Sequence, residues 1–580
     1  MVVMPTPTES DVASSLETSA NDDSPTAPQP RTAQKHRWRW WRLNYLGLVF
    51  ALLFIGLALT PSLLPRPWLF IGIIAGVAGT IGYALGTFLS WVIRSLIHRE
   101  LPLGIKRIAW WTLAVLGTMW FIAAVIVGGR WQNQVRVLVG EPEDPAVNLL
   151  VIALITFVVA ALLMLIARSI RRLNRWINRQ LARIVPTRVA ATAGFVIVAL
   201  FLYWIATGLL VSSFITWADT TYAAANDGTR AGVSQPIAAE RSGSPNSLAS
   251  WESLGFQGRN FVGRGPTPNE ISTVTGKPAL EPIRVYVGVD TADTAQERAE
   301  IAVKELERTG AFNRSVLVVA GATGTGWLEP QSADSIEYMW GGDTAIATIQ
   351  YSFLPSWISF LVDQDRATEA GQALFEAVYE KWSMMSETTR PKLITYGLSL
   401  GSFAAQAAFG GVQDMATRTD GALFQGTPNF SEPWATVQER RDAGSPEWQP
   451  IYQEGQTVRF AAAEGDLAKP GGPWQQPRVV FMQHASDPVV WWSYDLLLTE
   501  PDWLKEPRGS DVSPETRWFP LITFLQVTVD QFFGVSVPVG HGHNYSNTIV
   551  YAWGNVVPPP EWNAAKADEL QTLINAIPVE

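Results

Sequence analysis

Residues 392–409, KLITYGLSLGSFAAQAAF, join a short apolar stretch, a Gly-x-Ser-x-Gly turn and an alanine-rich run. This pattern is typical of a β-strand that passes directly into an α-helix, with Ser399 at the junction and Gly397 and Gly401 on either side. In such a nucleophile elbow the serine occupies a strained turn, and its Oγ projects above the edge of a sheet. Glycine is needed on both sides because larger side chains would collide there. The stretch therefore predicts a serine nucleophile at the carboxyl end of a strand.

On both sides of this elbow, apolar strand patterns alternate with helical patterns through the C-terminal half of the chain. The strand patterns cover residues 283–289, 315–321, 344–351, 392–398, 421–425 and 478–483, and the helical patterns cover residues 292–308, 368–385, 400–409 and 544–553. Strands that alternate with helices form a mostly parallel sheet that is covered on both faces. We therefore expect an α/β domain over residues 282–580.

A serine nucleophile needs a base within hydrogen-bonding distance and an acid that orients this base. The chain has five histidines, of which His36 and His98 precede the α/β domain. In enzymes built around such an elbow the chain order is serine, acid, histidine, which selects the GHGHNY loop at 540–545. His543 is preferred as the base because it stands at the start of the last predicted helix, and His541 is the alternative.

The acid is expected after the penultimate strand, 478–483, where the residues HASDP follow. Asp487 is the best candidate because it lies at the carboxyl end of that strand, and the alternative is a plain Asp-Pro turn. Asp495 and Asp530 are weaker candidates for the acid. His484 is expected to be a hydrogen-bonding residue of the loop, since it precedes the acid.

An oxyanion hole combines the N–H after the nucleophile, here that of Leu400, with an N–H from a loop that follows an early strand. Residues 321–327, GATGTGW, occupy this loop position. Their glycines allow backbone N–H groups, with Thr323 and Gly324 as the candidates, to face a developing negative charge. A phosphate-binding loop is the alternative interpretation, but no Gly-Lys-Ser/Thr follows.

Five long stretches of the N-terminal half contain no Asp, Glu, Lys, Arg or His, and they cover residues 43–65, 67–93, 108–129, 145–167 and 189–218. Each is long enough to cross a bilayer, because a hydrocarbon core of about 30 Å requires about 20 helical residues. The sequence therefore predicts five membrane spans. An ion-coupled transporter is disfavoured, since these stretches lack the ionisable groups that ion transport requires.

Basic residues are distributed unequally around these stretches. Sixteen Lys and Arg residues lie before the first stretch, between the second and third, or between the fourth and fifth, whereas only Arg66, Arg130 and Arg136 lie on the other side. The positive-inside rule then places the N-terminus in the cytoplasm and the C-terminal half outside it, in a multi-pass membrane protein. We expect four regions: a disordered cytoplasmic tail (1–36), a transmembrane helical domain (37–220), a linker (221–281) and an extracytoplasmic α/β domain (282–580).

The composition excludes several classes of function. Residues 221–580 carry 24 basic and 42 acidic residues, so this half is a poor match for nucleic acid. The absence of cysteine excludes disulfides, thiolate metal sites and cysteine nucleophiles. Histidines and carboxylates do not cluster in the sequence as they do at metal sites, so neither a metal nor another cofactor is expected.

The candidate residues predict that Ser399 attacks an ester carbonyl and forms an acyl-enzyme. Water or another hydroxyl resolves this intermediate, so a hydrolase and a transacylase share every residue, and a non-enzymatic envelope scaffold is the third interpretation. Apolar loop residues, with Tyr351, Trp357 and Trp491 as the candidates, are suited to binding a lipid chain, and ordinary core packing is the alternative. We expect a membrane lipid or a lipid-like ester as the substrate.

Five motifs, preceded by the apolar stretches, resemble the actinobacterial membrane-anchored α/β-hydrolase family, which has an N-terminal transmembrane domain. The motifs cover residues 321–327, 350–357, 397–401, 484–490 and 540–545. The resemblance runs from about residue 42 to the C-terminus. It implies an α/β-hydrolase fold that faces the cell envelope, with Ser399, Asp487 and a histidine of the terminal loop at the triad positions.

Overall fold

Six α-helices form the described N-terminal part of the chain. They are α1 Tyr45–Ala58, α2 Trp68–Leu96, α3 Leu103–Leu138, α4 Leu149–Leu181, α5 Thr187–Trp204 and α6 Ser212–Asn226. The computed structural model describes residues 43–96, 103–144, 148–205, 207–208 and 212–578. The predicted cytoplasmic tail, residues 1–36, lies outside the described residues.

Within the described residues, four helices, α2 to α5, are long and apolar enough to cross a membrane. The first predicted stretch is not among these four: its helix α1 has 14 residues, which is about 21 Å at about 1.5 Å per residue, compared with a hydrocarbon core of about 30 Å. Helix α1 ends before Pro61 and Pro65, because proline has no N–H to donate to the preceding turn. Residues 59–67 instead form an irregular connection, here named the α1–α2 loop. The fifth stretch, 189–218, is shared between α5 and α6.

In the described part of the chain, seven strands form one sheet in the order β1-β3-β2-β4-β5-β7-β6. Their bounds are β1 Ile283–Val287, β2 Val316–Gly321, β3 Thr344–Ile349, β4 Lys392–Leu398, β5 Gly421–Gln425, β6 Val458–Ala461 and β7 Arg478–Met482. Every pairing between neighbours is parallel, which confirms the predicted α/β fold class. Strand β6 was not predicted, because it has only four residues and pairs with β7 alone at the edge of the sheet.

Further helices lie before, between and after the strands. They are α7 Gly255–Gly263, α8 Pro268–Thr275, α9 Ala295–Thr309, α10 Pro330–Met339, α11 Ser356–Val362, α12 Gln364–Ser383, α13 Leu400–Gln406, α14 Val412–Arg418, α15 Glu432–Glu439, α16 Pro488–Trp491, α17 Asp502–Lys505, α18 Ile522–Asp530, α19 Ile549–Val556 and α20 Ala564–Asn575. Local sequence sets their ends: α9 begins at a capping box of Thr294 and Glu297 and ends at Gly310, whose φ is 73°. Every residue of β1, β3 and β5 is buried, as expected for a sheet that is covered on both faces.

Residues 221–281, predicted as a linker, comprise the end of α6 and a folded segment that contains α7 and α8. The guanidinium of Arg241 pairs with Glu281 at 2.6 Å. The N–H of Ser242 donates to the carbonyl of Arg284 in β1 (3.0 Å). This Gly- and Ser-rich segment is ordered because a buried arginine and hydrogen bonds to the edge strand hold it against the sheet.

The helical part contacts the α/β domain at the edge where the strands end. Leu63 and Leu64 of the α1–α2 loop are fully buried and belong to the same apolar cluster as the strands. Ala218 of α6 packs with Leu354 and Ile358, which follow β3 along the chain. The carboxyl edge of the sheet therefore faces the helical part.

Candidate active site

Ser399 lies between β4 and α13 in a backbone conformation that few side chains adopt. Its φ and ψ are 56° and −127°, a strained combination that persists only where the surrounding structure enforces it. Its N–H donates to the carbonyl of Gln425 at the end of β5 (2.9 Å). Leu400 begins α13, so its N–H is one of the donors that a helix start leaves without an intrahelical acceptor. The strand, turn and helix that residues 392–409 predict are present.

Three glycines allow β2, β4 and α13 to approach each other at this elbow. A Cβ atom added at Gly397 would lie 2.3 Å from the carbonyl oxygen of Gly401, and one added at Gly401 would lie 2.2 Å from the carbonyl oxygen of Gly321. These are backbone atoms, so they cannot move aside as the end of a flexible side chain can. Gly321, which the sequence analysis assigns to the oxyanion loop, therefore also has a packing role at the elbow.

Asp487 and His543 form a buried hydrogen-bonded pair. His543 Nδ1 lies 2.7 Å from Asp487 Oδ2, and the Asp487 carboxylate is fully buried. The carboxylate also accepts hydrogen bonds from the N–H of Val489 (2.8 Å) and from the hydroxyl of Tyr545 (2.5 Å). The bond from Val489 caps the start of α16. Asp487 therefore both begins the predicted Asp-Pro turn and binds His543. Three donors fix one carboxylate, which in turn holds the imidazole in one orientation.

The ring of His543 lies against the end of β5, the strand next to the one that carries the nucleophile. A Cβ atom added at Gly426 would lie 2.4 Å from His543 Cε1. Because the preceding residue, Gln425, accepts the N–H of Ser399, the ring and Ser399 lie beside two consecutive residues, Gln425 and Gly426, at the end of β5. His543 Nε2 is buried and has no hydrogen-bond partner among the described residues. A base would use this atom to take the serine proton, which accounts for an otherwise unfavourable unpaired nitrogen.

His541 occupies a different environment from His543. Its Nδ1 lies 3.5 Å from Asp511 Oδ2, and its side chain is 29% exposed, whereas that of His543 is 7% exposed. Asp511 also accepts a hydrogen bond from Ser486 (2.5 Å). The structure therefore places His543, and not His541, on the predicted acid.

The weaker acid candidates lie apart from this pair. Asp530 faces Arg66, with 3.6 Å between Oδ1 and Nε, and Asp495 accepts a hydrogen bond from the hydroxyl of a neighbouring serine (3.2 Å). His484 Nδ1 lies 2.9 Å from the carbonyl oxygen of Gly542. Burial lowers the pKa of His484, so its neutral ring donates this hydrogen bond. His484 is thus a hydrogen-bonding residue of the loop, as the sequence analysis predicts.

The predicted oxyanion loop differs from expectation at Thr323. The N–H of Thr323 donates to the carbonyl of Trp327 (3.0 Å), so this amide is occupied and the prediction that it faces an oxyanion is wrong. The loop closes on itself as a turn, which the glycine pattern alone did not indicate. A Cβ atom added at Gly324 would lie 2.4 Å from Ser359 Oγ, so glycine permits the turn to pack against α11. The N–H of Leu400 and that of Gly324 remain the candidates for the oxyanion hole.

The structure describes the side chains of two of the three predicted substrate-binding residues, and both are buried. Trp491 is 2% exposed, and its Nε1 donates to the carbonyl of His484 (3.1 Å), so it is a core residue and not a substrate contact. Tyr351 is also buried, and its hydroxyl has no partner among the described residues. Burial raises the pKa of Tyr351 above the ordinary value for tyrosine. The side chain of Trp357 lies outside the described residues.

A row of aromatic side chains leads from α13 to the surface. Phe403, one helical turn after the nucleophile, contacts Phe430, with 5.0 Å between ring centroids. Phe360 contacts Phe430 at 4.9 Å and Trp492 at 5.2 Å, and Trp492 contacts Tyr494 at 4.8 Å. Tyr494 is 66% exposed. These five residues, here named the aromatic row, appear in the sequence only as separate apolar positions, so their continuity was not predicted.

Glu329 adds a buried carboxyl group that the sequence analysis did not identify. Its Oε2 lies 3.3 Å from the hydroxyl of Tyr396, which also donates to Gln425 Oε1 (2.8 Å). Burial raises the pKa of Glu329 to about 7, and hydrogen bonds and the charge of His543 offset this only in part. A glutamate before a proline resembles an ordinary helix start, so no sequence signal marked it. Among the residues that the structure describes, no group of three or more His, Asp or Glu side chains could hold a metal ion.

Two family models match the chain. The model of the alpha/beta-hydrolase family matches residues 283–570, and the model of the alpha/beta-hydrolase family N-terminus matches residues 59–266. Comparison with curated proteins and with solved structures gives no match. The first model covers the complete parallel sheet, the elbow at Ser399 and the buried pair of Asp487 and His543. The chain therefore belongs to the α/β-hydrolase family.

Proposed function

We propose that this protein is a membrane-bound serine hydrolase that cleaves an ester through an acyl-enzyme. One observation carries the proposal: His543 is held by the buried carboxylate of Asp487, and its other ring nitrogen is unpartnered among the described residues, next to the strand end that binds Ser399. This arrangement supports a base that takes a proton from the serine.

In the proposed reaction, His543 Nε2 takes the proton of Ser399 Oγ while Oγ forms a bond to the ester carbonyl carbon. The carbonyl oxygen becomes an oxyanion, which the N–H of Leu400 stabilises. His543 then gives the proton to the leaving alcohol as the C–O bond breaks, and an acyl-enzyme remains. Water attacks the acyl group by the same steps, or a second alcohol does so in the transacylase alternative. Throughout, Asp487 orients the ring and stabilises its positive charge.

The proposed substrate is an apolar, lipid-like ester that is presented at a membrane. Four helices that could cross a membrane precede the α/β domain, and the carboxyl edge of the sheet faces them. The aromatic row connects α13 with the exposed ring of Tyr494 through the buried rings of Phe360 and Trp492. An apolar environment of this kind beside Ser399 favours substrates with an acyl chain.

The proposed location of the α/β domain is the extracytoplasmic side of the membrane. The α1–α2 loop contacts the α/β domain, and a Cβ atom added at Gly140, between α3 and α4, would lie 3.8 Å from His541. The basic residues at the end of α2, at the start of α3 and at the end of α4 are therefore at the opposite helix ends. Their charge favours the cytoplasm.

Labelling with a fluorophosphonate probe tests the proposed nucleophile in membranes that contain the full-length protein. The wild type is expected to form an adduct, and Ser399→Ala is expected to form none. Ser402→Ala is a matched control, because Ser402 is buried and bonds Thr427 (2.6 Å) outside the proposed mechanism. A folded wild-type protein without a Ser399-dependent adduct would support the scaffold alternative. Product analysis with and without an added alcohol distinguishes hydrolysis from transfer.

A further inference from the structure

The α1–α2 loop binds the end of helix α18 through a buried charged pair. The N–H of Leu63 donates to Asp530 Oδ2 (3.2 Å), and Arg66 Nε lies 3.6 Å from Asp530 Oδ1. The two charged side chains are 1% and 0% exposed. A pair this deeply buried contributes little net stability, but removal of one partner leaves the other charge without compensation. The contact therefore constrains where α18 ends relative to α1 and α2.

A short path of covalent and hydrogen bonds connects Asp530 to His543. Asp530 is the last residue of α18, and the 3-10 turn Gln531–Phe533 follows directly. The next residue, Gly534, accepts the N–H of His543 through its carbonyl (2.7 Å). Asp530 therefore lies four residues before the carbonyl that accepts the N–H of His543.

Two more contacts from the helical part reach the same region. Phe70, in the first turn of α2, packs edge-on against Phe533, with 5.0 Å between ring centroids. Leu64 Cδ2 lies 3.5 Å from the position that a Cβ atom of Gly542 would take. On its other side, Gly542 donates its N–H to Ser486 Oγ (2.8 Å), in the loop that carries Asp487. The residue before His543 therefore bonds the acid loop on one side and lies beside Leu64 of the α1–α2 loop on the other.

We propose that the α1–α2 loop is a positioning part of the active site, in which Arg66, through Asp530, and Leu64, at Gly542, hold His543 in reach of Ser399. This inference rests on the proposed function, in which His543 is the base. The helical domain is then more than an anchor, because the reactivity of Ser399 depends on contacts that the α/β domain cannot supply alone.

Variants of the full-length protein test this inference with two measurements. In Arg66→Ala and in Leu64→Ala, we expect faster hydrogen exchange at the amides of residues 542 and 543. We also expect labelling of Ser399 by the fluorophosphonate probe to slow by about 100-fold in Arg66→Ala, since a displacement of about 1 Å in a catalytic group can have an effect of this size. Arg66→Lys keeps the charge and should recover part of the labelling rate.

Arg459→Ala is the matched control for a general loss of stability. Arg459 is 4% exposed and donates to the carbonyls of Gly455 and Leu467 near the edge strand β6. This variant should have a lower Tm, while its labelling rate should match the wild type at temperatures where it is folded. Equal slowing in Arg459→Ala and Arg66→Ala would overturn the inference.

Unchanged exchange and unchanged labelling in both Arg66→Ala and Leu64→Ala would also overturn the inference. If Arg66→Ala does not fold, Asp530→Asn makes the same comparison, because it removes the charge and keeps an acceptor for the N–H of Leu63. The two readouts separate this inference from the proposed function. If the wild type is never labelled, the proposed function fails, and the exchange measurement alone decides whether the α1–α2 loop holds His543.

Discussion

The two histidines of the GHGHNY loop differ in their partners because of the residue between them. His541 and His543 flank Gly542, whose φ of 53° turns the chain between them. As a result the two rings bind different carboxylates, Asp511 and Asp487. The ring of His543, which binds Asp487, lies beside Gly426 at the strand end that accepts the N–H of Ser399.

Substitution of each histidine in turn checks this assignment. His543→Gln removes the base and should slow both fluorophosphonate labelling and ester hydrolysis by about 10³-fold or more. His541→Gln removes a partly exposed ring with a 3.5 Å contact and should change these rates only slightly. The measurement is the second-order rate constant of labelling for folded protein. Equal losses in the two variants would contradict the assignment of His543.

Glu329 predicts a pH dependence of stability. Its pKa is raised from 4.5 to about 7 by burial, so between these values the folded state retains a proton that the unfolded state has lost. Its contribution to stability is therefore complete below about pH 4.5 and is lost as the pH rises through about 7. The side chain in Glu329→Gln cannot ionise. When the pH rises from 5 to 8, the free energy of unfolding of this variant should therefore increase by up to about 3 kcal/mol relative to that of the wild type.

Thermal unfolding of the detergent-solubilised wild type and Glu329→Gln variant, at pH 5 and at pH 8, measures this difference in stability. Glu387→Gln is the control, because the side chain of Glu387 is 86% exposed. A Glu329→Gln variant whose stability relative to the wild type is the same at pH 5 and pH 8 would show that the carboxyl does not titrate in this range.

Secondary-structure elements meet at the elbow through their backbones. Strand β2, strand β4 and helix α13 approach so closely that glycine carbonyls occupy the space where side chains would start. This packing keeps Ser399 in its strained conformation, since neither the strand nor the helix can shift without a collision.

The close contact predicts different results for two glycines, Gly401 within α13 and Gly410 after it. Gly401→Ala places a Cβ atom 2.2 Å from a carbonyl oxygen and should lower the free energy of unfolding by more than about 3 kcal/mol. Gly410→Ala has open space around it and should change the stability little. Denaturant unfolding of both variants tests the prediction, and a Gly401→Ala variant as stable as the wild type would mean that β2 and α13 lie further apart.

In the part of the chain that the structure describes, charge and packing favour the proposed orientation. The α1–α2 loop and the α3–α4 connection contact the α/β domain, while basic residues lie at the other helix ends, at the end of α2, the start of α3 and the end of α4. A membrane that separates these two ends would place the acidic α/β domain opposite the basic helix ends.

Single cysteines test this topology cleanly, because the natural chain contains none. Glu387→Cys, on the α/β domain, should react with a membrane-impermeant maleimide on intact cells. Arg183→Cys, between α4 and α5, should react only after the cells are permeabilised. The reverse pattern would invert the proposed orientation, and equal labelling of intact cells would contradict a membrane barrier between the two sites.

Local patterns were sufficient for much of this description. Strand and helix periodicity, the Gly-x-Ser-x-Gly turn and the chain order of Ser399, Asp487 and His543 all depend on residues close in sequence or on a known order of motifs. They predicted the parallel sheet correctly, and the structure brings the predicted acid and histidine, Asp487 and His543, into contact. They did not predict the length of α1, because a count of uncharged residues takes no account of Pro61 and Pro65, which lie within the first stretch and limit the helix.

Contacts between distant residues required the folded chain. Leu63 and Asp530 are 467 positions apart, and nothing near either residue indicates that they meet. The same holds for the aromatic row, for the burial of Trp491 and Glu329, and for the turn that occupies the N–H of Thr323. A side chain's burial and partners depend on which elements pack around it, and in this chain that packing brings a membrane-helix connection against the loop of His543.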